Sequence, residues 1–155
     1  MKKVFVILVV LFVLGSGAVF AQVSDTAQLV LSGFVGDFVS ITVTPTAAAS
    51  NINLNLAQNN LVVGNAVEVA NVLYDVSASS LNGFVFANGL GDTHGYDLSY
   101  GGETVAAGSG GTQSLFTGQT PTAGQNRSIT ITFPVATGIA SGSYSDEITF
   151  TIEGP

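Results

Sequence analysis

Apolar and polar residues alternate in short runs along this chain, and no window sustains the three- and four-residue spacing of an amphipathic helix. From Thr26 to Gly36, the residues Ala27, Leu29, Leu31, Gly33 and Val35 fall on one face, which predicts a strand. A second strand, Phe38 to Thr44, follows the Gly36-Asp37 break. Asn51 to Ala57 sets Ile52, Leu54 and Leu56 against asparagines. The long run Ala66 to Ala78 carries Val67 and Val69 in one phase, then Val72, Tyr74 and Val76 in the other. That change of phase predicts a bulge, or a strand that moves between sheets. Phe84 to Ala87 and Tyr96 to Tyr100 read as shorter strands around a loop, Asn88 to Gly95. Gly101 to Gly111 reads as a mobile, glycine-rich hairpin region. Arg127 to Val135 aligns Ile129, Ile131, Phe133 and Val135. Ser143 to Glu153 aligns Tyr144, Ile148, Phe150 and Ile152 against Ser, Thr and Glu. Short alternating strands separated by turn residues predict an all-β, two-sheet sandwich with immunoglobulin-like topology. No internal repeat or interdomain linker is visible.

The first 21 residues break the alternation. Lys2 and Lys3 precede an unbroken apolar run, Val4 to Leu14, then Gly15-Ser16-Gly17 and the small residues of Val19-Phe20-Ala21. This is the pattern of a cleavable secretory signal. The apolar run falls short of the ~20 residues that a membrane span needs. The expected organisation is therefore a signal peptide at 1–21, an N-terminal extension at 22–36 and a sandwich domain at 37–155, with no membrane span after cleavage. Strongly patterned strands are expected near both ends of the mature chain.

Charge narrows the partners. After cleavage only Arg127 remains as a cation against ten carboxylates, a formal charge of −9 over residues 22–155. Nucleic-acid phosphate and anionic lipid are excluded as partners on that balance. Only 8% of residues are charged, so the surface is mostly Ser, Thr, Asn, Gln and Gly. Such a surface suits an exported protein that packs against copies of itself. There is no cysteine, so packing and backbone pairing carry the stability without disulfides.

Little in the chain points to catalysis. A Ser-His-Asp triad would need the single histidine, His94, with Asp92 or Asp97 beside it. No Gly-x-Ser-x-Gly elbow accompanies them, and His94 reads as a loop residue. Asp92, Asp97 and Glu103 could gather oxygen ligands for calcium, but their spacing matches no EF-hand loop. Asp146-Glu147 reads as a charge pair at a turn edge. Gly108 to Gly111 lacks the lysine and helix of a phosphate loop. Asn126-Arg127-Ser128 fits the glycosylation acceptor pattern. For sugar binding, Tyr96 and Tyr100 are the best candidates for exposed rings. The expectation is no enzyme, no cofactor and no metal.

Two segments carry a family resemblance. The run Leu29-Val-Leu-Ser-Gly-Phe-Val-Gly-Asp37 resembles the N-terminal region of chaperone–usher pilins. The ending Ala140-Ser-Gly-Ser-Tyr-Ser-Asp-Glu-Ile-Thr-Phe-Thr-Ile152 is similar to the closing strand of the same superfamily, closest to spore coat protein U-like fimbrial subunits. The resemblance implies a sandwich that lacks its seventh strand and is completed by a neighbour's N-terminal extension, giving a head-to-tail homopolymer in a pilus, fimbria or surface coat. Ala27, Leu29, Leu31, Gly33 and Val35 would then be the donor strand. The acceptor groove would be lined by Phe38, Ile41, Val43, Tyr144, Ile148, Phe150 and Ile152. A periplasmic chaperone and an outer-membrane usher would be assembly partners in a Gram-negative host. The chain departs from many pilins in having no disulfide and in ending Glu153-Gly-Pro155 without a nearby tyrosine. The alternative is a monomeric secreted sandwich, completed by its own leading strand, that binds glycan or a surface protein.

Overall fold

The computed structural model describes residues 26–155, so the signal expected at 1–21 lies outside the described residues. Two units are resolved, one ending at Phe34 and the other spanning Val35–Pro155. Residues 26–34 carry no strand pairing of their own, which corrects the strand expected over Thr26 to Gly36. Their alternating pattern has no partner strand among the described residues.

The second unit is all-β. Its strands are β1 (Val39–Pro45), β2 (Gln58–Ala70), β3 (Tyr74–Ser80), β4 (Val85–Ala87), β5 (Thr93–Gly95), β6 (Asp97–Tyr100), β7 (Glu103–Val105), β8 (Thr112–Gln119), β9 (Thr122–Phe133) and β10 (Ile148–Glu153). One short 3-10 turn, Ala47–Ser50, follows β1. A five-stranded sheet in the order β1-β2-β9-β6-β7 faces a three-stranded sheet in the order β10-β3-β8, and β4 and β5 form a separate hairpin. All pairings are antiparallel.

The phase change in Ala66 to Ala78 marks the passage between sheets. β2 ends at Ala70, the chain turns through residues 71–73, and β3 begins at Tyr74 in the opposite sheet. Both phases therefore point at one core, from opposite sides. Asn71 holds this turn against the start of the domain. Its amide side chain donates to Gly36 O at 2.8 Å and accepts from Phe38 N at 2.6 Å. The turn at 71–73, residues 36–38 and Gly154 lie at one end of the sandwich, the base. The connections at 81–84, 88–92 and 134–147 lie at the other, the head.

Several sequence expectations are corrected. Asn51 to Ala57 is not a strand. Asn51 Nδ2 donates to Ala47 O and Asn55 N donates to Asn53 Oδ1. Asparagine side chains so placed compete with a backbone ladder and fold the segment into turns. β8 was not anticipated, because only Leu115 and Phe116 stand out in Thr-Gln-Ser-Leu-Phe-Thr-Gly-Gln. The final strand starts at Ile148, leaving Tyr144 outside it, and β9 stops at Phe133, leaving Val135 exposed. Phe38 also falls just outside β1.

The core holds Tyr74, Val76 and Ala78 from one sheet against Ala66, Leu98, Tyr100, Ile129, Ile131 and Phe133 from the other. Among these apolar groups lies Glu68 on β2, fully buried. Its carboxylate accepts from Tyr74 OH at 2.9 Å and Tyr100 OH at 2.6 Å, and both oxygens lie 3.4 Å from Arg127 Nε. Arg127 Nη2 donates to Gln119 at 3.0 Å, and the guanidinium sits 4.0 Å from the centre of the Phe116 ring. This cluster joins five strands across the two sheets. A charge in such a place is tolerated only when every lone pair is matched, and among the described residues no buried side-chain polar atom lacks a partner. Gly101, at φ +59°, leaves room for the arginine. A Cβ there would lie 2.6 Å from Arg127 Cδ.

Removing one member strands the others. Glu68→Ala is expected to cost about 3–5 kcal/mol, because it leaves a largely buried guanidinium unpaired. Tyr100→Phe is expected to cost about 1–2 kcal/mol. Urea denaturation followed by tryptophan-free, tyrosine-based circular dichroism measures both; a loss under about 1 kcal/mol for Glu68→Ala would show that the cluster does not hold the sheets.

Candidate functional site

β1 and β10 are both edge strands. β1 pairs only with β2, and β10 only with β3. Their free edges border the same seam between the sheets, so two rows of backbone N–H and C=O groups are left without a strand partner among the described residues. The seam is apolar because the inward phases of both strands point into it. Val39, Ile41, Ile148, Phe150 and Ile152 are all only partly buried yet pack against the core.

The seam is not uniform along its length. At the base, the Gly154 backbone packs against Val39 and Val72, and a Cβ on that glycine would sit 3.6 and 3.3 Å from their methyl groups. Toward the head the strands part around a cleft of about 260 Å³. Val43 and Pro45 form one wall, and Ile148 and Phe150 the other. Ala49 and Ile52 cover its upper end, with Val63, Ile129, Phe86 and Tyr96 beneath. Gly64 lets β1 and Ile129 close on it, since a Cβ there would stand 3.3 Å from Thr44 O and 3.4 Å from Ile129 Cδ1.

One carboxylate borders this cleft. Asp146 accepts from Tyr96 OH at 2.5 Å, Ser80 Oγ at 2.6 Å and Asn82 N at 3.0 Å. It is therefore an anchor for the head-end connections as well as a charge at a turn edge. Ser80 Oγ also accepts from Phe84 N at 2.6 Å. Phe84 is fully buried with φ +58°, a conformation that costs a bulky residue about 1–3 kcal/mol and persists only where its surroundings impose it. Burial against Tyr96, together with the Ser80 and Asp146 bonds, imposes it here.

Of the groove residues expected from the sequence, Val43, Ile148 and Phe150 meet around the cleft. Ile41 and Ile152 lie on the same inward phases, partly buried. Phe38 stands at the base, half exposed, and Tyr144 lies away from the seam, its hydroxyl donating to Ala140 O at 2.7 Å. Ala49, Phe86, Tyr96 and Asp146 were not foreseen at this place. No pattern in the sequence brings a 3-10 turn and a separate hairpin to the mouth of an intersheet seam. Among the expected donor residues, Leu29, Leu31 and Val35 each expose more than four-fifths of their surface.

The other candidates are absorbed into the fold. His94 lies in β5 instead of a loop, its Nε2 3.0 Å from Pro134 O and its ring edge-on to Phe133. Asp92 accepts from Ala140 N and Asn88 Nδ2, and Asp97 from Ala107 N. Among the described residues, no three His, Cys, Asp or Glu side chains are grouped to hold a metal ion. Tyr96 and Tyr100 are core residues, not exposed platforms. Asn126 is exposed in mid-strand on β9. No helix among the described residues is long and apolar enough to cross a membrane.

The scan against protein-family models finds no match, and no curated protein matches the chain.

Three of the four tyrosines are held protonated by the core. Burial first, then the bonds to Glu68 or Asp146, raise Tyr74, Tyr96 and Tyr100 above the ordinary value of 10.0. A raised folded value leaves stability intact below pH ~10 and removes it as pH climbs beyond, because the unfolded chain then releases protons that the folded one retains. Titration is expected to show tyrosinate absorbance from these residues rising together with unfolding above pH 10. More than one equivalent of tyrosinate in a fully folded protein near pH 10 would contradict this, since only Tyr144 lies outside the buried core.

Proposed function

We propose that this protein is a structural subunit that polymerises by lending residues 27–35 to the β1–β10 seam of another copy, and that it works without catalysis. The observation that carries this reading is the pairing of an apolar seam that no described strand fills, bounded by two strand edges free among the described residues, with an exposed segment of matching alternation. A strand laid in the seam satisfies backbone groups on both edges and buries alternate side chains. Each large apolar side chain so buried contributes about 1.5–3 kcal/mol, set against the cost of association.

Strand order supports an immunoglobulin-like arrangement. In such sandwiches one sheet carries strands A, B, E and D, and the other carries C, F and G. Here β1, β2, β9 and β6 take the order A-B-E-D, β3 and β10 take C and F, and no described strand takes the place of G beside β10. That place is the seam. The pilin resemblance of the two end segments agrees with this reading, as does the weakly charged Ser- and Thr-rich surface of a self-packing exported protein. Export through a signal at 1–21, a surface or extracellular location, and help from a chaperone and usher belong to the same proposal. The burial of Tyr96 and Tyr100 takes away the aromatic platforms that the glycan-binding alternative needs.

Direction decides the product. β1 runs from base to head and β10 from head to base. A donor antiparallel to β10 leaves the acceptor at its head, and the next domain continues the line. A donor parallel to β10 leaves at the base and permits reciprocal exchange in a closed dimer.

Deleting residues 26–35 from the mature chain is expected to abolish polymers seen by electron microscopy and leave a monomer. A synthetic peptide of residues 26–35 is expected to raise that monomer's melting temperature, and Phe150→Asp to remove the effect. Polymers that persist without residues 26–35 would refute strand lending.

A further inference from the structure

The two ends of the sandwich expose apolar side chains that the fold itself does not use. At the base, Phe38 and Leu73 are 52% and 54% exposed; at the head, Leu81 and Leu90 are 76% and 89% exposed. Neither pair lies in the seam. Leu81 follows the last residue of β3, with its N–H bonded to Glu147 O, and Leu90 is at the tip of the β4–β5 hairpin. The tip is held in shape, since Asn88 Oδ1 accepts from Leu90 N at 2.8 Å and Asp92 N at 3.1 Å. Leu73 likewise sits on a fixed turn, next to the Asn71 clamp on Gly36 and Phe38. Isolated exposed leucines need no explanation, but rigidly presented ones at opposite ends of a self-associating domain do.

The tether between donor and domain is short. From Val35 to Val39 the chain has four steps and spans at most about 14 Å. Within it, Gly36 and Phe38 are pinned to Asn71. A domain whose donor strand fills a neighbour's seam is thus held with its own base against whichever end of the neighbour the strand leaves. Resting on the strand-lending reading, we infer that successive copies also meet end to end, Phe38 and Leu73 of one packing on Leu81 and Leu90 of the next. The contact is heterologous, so it propagates along the line and fixes the angle between successive domains. Exposed acidic groups flank it, Asp37 at the base and Glu147 at the head. Their repulsion is screened by salt, so the contact strengthens as ionic strength rises.

The absence of native cysteine makes the test direct. In the full mature chain, L73C/L81C places thiols just beyond the two ends of β3, eight steps or about 26 Å apart and beyond the reach of an internal disulfide, and L73C/L90C moves the head-end thiol to the tip of the β4–β5 hairpin. Mild oxidation is expected to give a reducible ladder extending past the dimer in at least one of them. The leucines are exposed, so the substitutions leave the core untouched. L81S/L90S is expected to shorten filaments roughly tenfold at equal concentration, the scale of one lost apolar contact, while the peptide of residues 26–35 still raises the melting temperature of the donor-deleted monomer. Disulfide dimers from L73C alone, in place of a ladder from the double variants, would mean base-to-base pairing and overturn the inference. Filaments that form but never cross-link, and are unchanged by L81S/L90S, would overturn it and leave strand lending standing. Absence of any polymer from the unaltered chain would overturn both.

Discussion

The buried Glu68 carboxylate is the interaction on which the sandwich depends. It draws hydroxyls from β3 and β6 and the guanidinium from β9, and so ties both sheets to one point. No disulfide does this work, and the seam between β1 and β10 does not close the core on its own side. Two sheets joined only by apolar contact can slide, since apolar packing has no direction. Hydrogen bonds to a buried charge have fixed length and angle, and losing one is expensive in a low-dielectric interior. Arg127 is the only cation of residues 22–155 and it is spent there, which leaves a surface of uncompensated carboxylates.

With the sheets registered at that point, the opposite margin is free to stay open. The Phe150 ring links the two regions. It stacks against Tyr100, a Glu68 partner, at 5.0 Å, and its other side forms the wall of the cleft. The Phe150 wall is thus backed by a partner of the buried carboxylate. Asp146 gives the head a comparable anchor, fixing Tyr96, Ser80 and the turn at Asn82 around the upper mouth.

Local patterning recovered much of this. Period-two alternation located β1, β4 and β6 to within a residue and the inward faces of β9 and β10, whose starts lie five residues from those expected, because those strands each have one face in the core and the other in solvent; it ran β2 and β3 together as one run with a change of phase. It failed where that condition fails. Asn51 to Ala57 alternates, yet asparagine amides bond their own backbone and the segment turns. β8 is an edge strand with just two large apolar residues, so it left little periodic trace. Thr26 to Gly36 alternates as well as any strand in the chain, but pairing needs a partner and none is found among the described residues. Val43, Ile148 and Phe150 were legible as groove residues because they sit on the inward phases of strands at the two margins.

By itself the sequence determined the fold class and the faces of its strands, since both follow from spacing along the chain and from burial of apolar groups. Its composition also settled the lack of disulfides and the acidic balance. Only the tertiary structure decided that β1 and β10 are neighbours with free edges, that Ala49, Ile52 and Phe86 close the end of the seam between them, and that Glu68 and Arg127 meet inside. Those facts depend on contacts between residues tens of positions apart. A glutamate at position 68 reads as one more surface charge until the fold places two tyrosines and an arginine around it.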